Sequence, residues 1–134
     1  MKHKYIYLIL IIVSMSLLSC SDEPVNTLTV TNNAEYGVQL NFKGTLTEVP
    51  SGETVKLTDI LEGEYEYETI FEAPQGASYD VSESCAGTLV LNAGTKVLIV
   101  YVSAFDGTQY TLTASVTTSN NLSEDFILPN PINP

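Results

Sequence analysis

From Thr27 onward, apolar and polar residues alternate with a period of two, the pattern of strands with one buried face. Leu28 and Val30 alternate with Thr27, Thr29 and Thr31, and Asn32-Asn33 breaks the run. Tyr36, Val38, Leu40 and Phe42 share one face of a second strand that ends at Gly44. Thr45 to Val49 forms a short third strand, Pro50-Ser51-Gly52 a turn, and Val55 and Leu57 a fourth strand running toward Glu62-Gly63. Glu64 to Glu72 alternates strictly, with Tyr65, Tyr67, Thr69 and Phe71 opposed to Glu64, Glu66, Glu68, Ile70 and Glu72. After a loop with Pro74 and Gly76, Tyr79 to Leu91 reads as a sixth strand with Gly87 as its point of interruption, and Asn92-Ala93-Gly94 closes a hairpin. Lys96 to Ala104 is apolar on both faces. Asp106-Gly107 is the strongest hairpin signal, and Gln109 to Thr118 follows with Tyr110, Leu112, Ala114 and Val116 inward.

Seven to eight evenly spaced strands with turn signals between them and no amphipathic helix predict an all-β fold, an antiparallel β-sandwich over residues 27–118. Its size is immunoglobulin-like, although the Cys-Trp-Cys pattern of true immunoglobulin domains is missing. Gly63-Glu64-Tyr65 resembles the glycine-then-aromatic strand opening of transthyretin-like modules, which makes that sandwich the alternative.

Ahead of the strands, residues 1–19 have the build of a secretory signal peptide: Lys2 and Lys4, then an apolar run from Tyr5 to Val13, then small residues. The run is shorter than the ~20 residues that span a bilayer as a helix. Leu17-Leu18-Ser19-Cys20 resembles the lipobox of bacterial lipoproteins. That resemblance implies cleavage before Cys20, lipid attachment to its sulfur, and a membrane-anchored life in the cell envelope. Ser21-Asp22-Glu23 resembles the acidic export signal of Bacteroidota-type surface lipoproteins, which implies the outer membrane and exposure at the cell surface. Residues 20–26 then read as a lipidated tether, and residues 119–134, rich in Pro and Asn, as a C-terminal tail.

Charge narrows the partners. The sequence carries a net charge of −11, but Lys2 and Lys4 belong to the signal. Against sixteen carboxylates the mature chain keeps only Lys43, Lys56 and Lys96 and no Arg, a net charge of −13. Such a surface repels polyphosphates, so nucleic acid is excluded as a partner. The expected partners are the membrane, through the lipid, and a protein or a glycan.

Catalytic chemistry has few candidates. His3, the only histidine, lies in the signal, so no Ser-His or Cys-His pair and no histidine metal site is expected. Cys85 has no basic neighbour in sequence and reads as a small buried apolar residue without a disulfide partner. The row Glu64, Glu66 and Glu68 reads as an acidic, solvated face, with calcium or a basic partner as the functional alternative. Same-face residues two apart lie ~7 Å from each other, where like charges in water repel by only ~0.6 kcal/mol. Asp106-Gly107 reads as a turn, because calcium needs repeated oxygen ligands. No enzyme activity, cofactor or metal is expected. For carbohydrate, Tyr79 and Tyr101 are the candidate exposed rings, whereas Tyr36, Tyr65, Tyr67 and Tyr110 fall on core faces. The two-sided strand Lys96 to Ala104 must leave one apolar set outside. Either Leu98, Val100 and Val102 or Val97, Ile99 and Tyr101 point inward; with the first set inside, an outer patch of Val97, Ile99 and Tyr101, covered by Phe126-Ile127-Leu128 of the tail or shared with a partner, is the candidate interaction surface.

Overall fold

The computed structural model describes residues 25–119. The signal peptide, Cys20 and Phe126-Ile127-Leu128 lie outside the described residues. Nine strands follow in chain order: β1 Asn26–Asn33, β2 Val38–Phe42, β3 Thr45–Val49, β4 Thr54–Ile60, β5 Gly63–Phe71, β6 Ser78–Val81, β7 Ala86–Leu91, β8 Lys96–Phe105 and β9 Gln109–Ser119. They build two sheets, β4-β1-β8-β9-β6 and β3-β2-β5-β7, packed face to face. Among the described residues no helix is long and apolar enough to cross a membrane.

The alternation read in the sequence sets the core. Leu28, Val30, Val38, Leu40, Leu112 and Tyr110 are all buried, and Tyr65, Tyr67, Thr69 and Phe71 face inward while the glutamates of β5 face water. Lys43 and Gly44, at φ 56° and 75°, form the two-residue β2–β3 turn, a geometry that demands positive φ at both positions.

Four expectations need correction. The sandwich is not purely antiparallel, because β1 pairs with β8, and β6 with β9, in parallel. Alternation identifies strands and faces but carries no information about the direction of a distant partner. The expected sixth strand is two strands in different sheets, which brings the count to nine instead of the expected seven to eight. It breaks at Ser82 to Cys85, where a 3-10 turn carries the chain across the sandwich, and not at Gly87. Ser82 N–H donates to Leu112 O and Cys85 N–H to Ser82 O, both at 3.0 Å, closing β6 and starting the crossing. Gly87 sits inside β7 opposite Tyr67, whose ring lies so close that a Cβ would meet it at 3.3 Å. Asn32-Asn33 does close β1, which ends at Asn33, but Asn32 lies within the strand and is fully buried.

The fourth correction concerns β8. Val97, Ile99 and Tyr101 have no exposed surface and belong to the core, so they form no outer patch. Register decides this: Val97 and Ile99 stand beside Leu28 and Val30 of β1, and Tyr101 beside Ala114 of β9, all inward-facing. The outer set is Leu98, Val100 and Val102. Leu98 is only 8% exposed, because Thr29 on β1 and Thr117 on β9 flank it in register. Val102, 46% exposed, is the open end of that row.

Candidate functional site

The two sheets are out of step along one side, and that offset makes a cleft. β7 pairs with β5 only up to Glu68 and Ala86, because the chain reaches β7 after β6 has run along the other sheet. Thr69, Ile70 and Phe71 therefore pair with β2 alone, and alternate residues there turn backbone N–H and C=O away from the sheet. Tyr79 of β6 stands across this gap, its ring edge-on to Phe71 at 5.6 Å and 67% exposed. A concavity of about 330 Å³ lies between them, lined by Thr69, Ile70, Phe71, Ala73 and Tyr79.

Its floor is rigid. Phe71 stacks on Tyr110 at 6.3 Å, and Tyr110 meets Tyr36 edge-on at 5.6 Å. Thr69 Oγ1 is turned inward to Tyr101 Oη at 2.6 Å, so its methyl rather than its hydroxyl is left for the cleft. On the outer side of β5 a second concavity of about 350 Å³ shares Ile70 and Phe71 and adds Gln39, Glu48 and Glu72. Ile70, 45% exposed, is the apolar residue on the otherwise acidic face of β5 and joins the two hollows. The arrangement offers a flat ring, a ledge of apolar side chains, open backbone groups and carboxylates at the rim, a combination suited to holding a ligand.

The acidic row is placed as its alternation requires. Glu64, Glu66 and Glu68 are exposed on the outer face of β5, paired across β7 with Val90, Thr88 and Ala86. Lys43 stands over the Tyr65 ring, its Nζ 5.1 Å from the ring centre. Among the described residues no group of three or more His, Cys, Asp or Glu could hold a metal ion. Replacing Glu64 and Glu66 together by Gln is expected to shift stability by no more than about 0.5 kcal/mol, in the stabilising direction if at all. A urea titration showing a loss of several kcal/mol would mean that these carboxylates are paired.

The remaining candidates are structural in position. Asp106 Oδ1 accepts from Thr108 N–H at 2.8 Å and Gln109 N–H at 2.7 Å, which holds its carboxyl below the usual range and shapes the β8–β9 turn. Cys85 is a buried free thiol, its Sγ 3.8 Å from Leu112 O. Tyr79 is exposed, as its place outside the core pattern predicts, whereas Tyr101, the other expected surface ring, is buried. Ile70, Phe71 and Ala73 are not identifiable from spacing, because the cleft exists only through the mismatch of two sheets. Ile70 alone leaves a signal, an apolar side chain in a row of glutamates. No protein-family model matches the chain, and no characterised protein compared with it is significantly similar.

Proposed function

We propose that this chain is a lipid-anchored cell-envelope protein whose sandwich is a non-catalytic binding module. The observation that carries the reading is the exposed Tyr79 ring across from the open edge of β5, beside a concavity whose lining offers no nucleophile–base pair. Anchorage rests on the lipobox-like Leu17-Leu18-Ser19-Cys20, and an outer-membrane, surface-facing location on Ser21-Asp22-Glu23. Among sandwiches we favour the immunoglobulin-like type, on the grounds of its size and its two packed sheets of short strands. The partner is a protein or a glycan. Carbohydrate is the second reading, favoured by the same ring, since an exposed aromatic face packs against the C–H face of a sugar while rim carboxylates such as Glu72 accept its hydroxyls.

A single set of variants tests both parts. Cys20→Ala is expected to move the protein from the membrane pellet to the soluble fraction, and retention after high salt and carbonate would refute lipidation. Tyr79→Ala is expected to weaken glycan-array binding roughly tenfold with little change in urea midpoint, because the ring is mostly exposed. If no glycan binds, a photo-crosslinking residue at Tyr79 is expected to trap one envelope protein that the same residue at Lys56, on the far edge, does not. Failure of both experiments at Tyr79 would remove the cleft as the binding site.

A further inference from the structure

The offset that opens β5 also strips one side of β9. Among the described residues β6 pairs with β9 only over Gln109 to Leu112, and from Thr113 to Thr118 the strand paired with β9 is β8. Leu112 O accepts from Ser82 N–H and Ala114 N–H donates to Ser82 Oγ, each at 3.0 Å, so these two residues turn their backbone groups away from β8. By strand parity Val116 and Thr118 turn theirs the same way, toward the open side.

Open edges are usually blunted by charge, proline, bulges or shortness. Most of the other edges here are: β4 carries Lys56 and an irregularity at Asp59, where φ is 58°, β3 is five residues long with Glu48, β6 is four residues long with Asp80, and the open part of β5 is three residues long, while β7, six residues without charge or proline, is interrupted only by Gly87. β9 has none of these devices: from Gln109 to Ser119 there is no charged residue, no proline and no glycine, in a chain that otherwise carries sixteen carboxylates. Thr113, Ser115, Thr117 and Thr118 are exposed along it.

We propose that the open edge of β9, Ala114 to Thr118, is a self-association surface that takes β9 of a second copy in antiparallel register about a two-fold axis at Val116. In that register Val116 meets its own copy and Ser115 meets Thr117, a pair of short hydroxyl-bearing side chains, while Ala114, whose N–H is held by Ser82 Oγ, offers only its C=O to Thr118. A second copy is the occupant that the charge distribution fits. A cationic partner would find its counter-charges on the outer face of β5, whereas two acidic domains can approach only where each is neutral. The Ser82 Oγ bond to Ala114 N–H ends the strip on the β6 side and fixes its length. The surface is separate from the Tyr79 cleft and does not depend on it.

Sedimentation equilibrium of the full chain in density-matched detergent tests this. A monomer–dimer equilibrium is expected, and it should tighten as salt rises from about 0.05 to about 0.5 M, since screening relieves repulsion between two acidic bodies. Val116→Pro removes the central donor from both copies without touching the β8 ladder, and is expected to weaken the dimer roughly tenfold or more. Thr118→Lys is expected to do the same, although its added charge alone would favour association of acidic copies, so that a loss reads the edge itself. Tyr79→Ala should leave the dimer unchanged. The proposal is overturned if the full chain stays monomeric at about 100 µM, well above the micromolar range in which weak specific dimers form. It is equally overturned if both edge variants dimerise as well as the parent. Dimerisation only after removal of residues 120–134 would also overturn it, and would make that segment the occupant of the edge.

Discussion

Asn32→Ala is expected to cost the domain roughly 3–5 kcal/mol, the largest effect of any single polar substitution in the sandwich. Asn32 has no exposed surface, and its side chain makes three hydrogen bonds, each 2.9 Å long. Nδ2 donates to Tyr36 O and to Val49 O, while Oδ1 accepts from Ala34 N–H. One amide thus ties the end of β1 in one sheet to the β1–β2 turn and to the end of β3 in the other. Truncation leaves two carbonyls and one N–H without the partner they have in the fold, at a position with no exposed surface, where each costs about 1–3 kcal/mol unless the chain relaxes to admit water. Asn33, next in sequence but exposed, is the control, and Asn33→Ala should lie within about 0.5 kcal/mol of the parent. A drop in urea midpoint at constant slope for Asn32→Ala, and none for Asn33→Ala, would verify the tie. Equal midpoints for the two variants would show that β1 and β3 are held together by the apolar core alone.

Asn32 also shows where reading the chain by pattern stops. The alternation of Leu28 with Val30, of Val38 with Leu40, and of Tyr65 with Tyr67 identifies strands and inward faces, because a half-buried strand has one solvent per face and a period of two. An asparagine at the end of such a run reads as a turn, since nothing local distinguishes an amide that faces water from one that bonds to carbonyls across the sandwich. The same blindness to partners accounts for β8. Two apolar faces are equivalent in sequence, and Val97, Ile99 and Tyr101 are inside only because their register neighbours on β1 and β9 are. Tyr79 is legible as a ring outside the core pattern. The cleft beside it is not, because it depends on how far β6 and β7 run before the chain changes sheets, a distance set by the turn at Ser82 to Cys85.

Alkaline pH is expected to weaken the fold through Tyr101, whose hydroxyl is buried between the sheets and bonded to Thr69. Burial pushes its pKa up to about 12 from an ordinary 10.0, with the bond to Thr69 opposing the shift and Cys85 and Tyr67 adding to it. A group whose folded pKa exceeds its unfolded pKa leaves stability intact below the unfolded value and removes it as pH rises toward the folded one. The window is therefore pH 10 to 12, with a loss of about 1.4 kcal/mol by pH 11 and roughly 2–3 kcal/mol once both states ionise. Tyr101→Phe removes this titration but also takes the partner from Thr69 Oγ1, a cost of about 1 kcal/mol at neutral pH. Parent and variant should then differ in favour of the parent at pH 7 and converge or cross near pH 11 in urea titrations. Tyr67, also raised by burial, leaves the variant a residual alkaline slope. Tyr110→Phe is the contrast. That hydroxyl is buried with no hydrogen-bond partner among the described residues, so its removal should cost nothing at pH 7 and can raise stability. If Tyr101→Phe and Tyr110→Phe behave alike at neutral pH, the bond between Tyr101 and Thr69 contributes nothing, and if the parent's alkaline loss persists undiminished in Tyr101→Phe, the ionisation that unfolds the domain lies elsewhere.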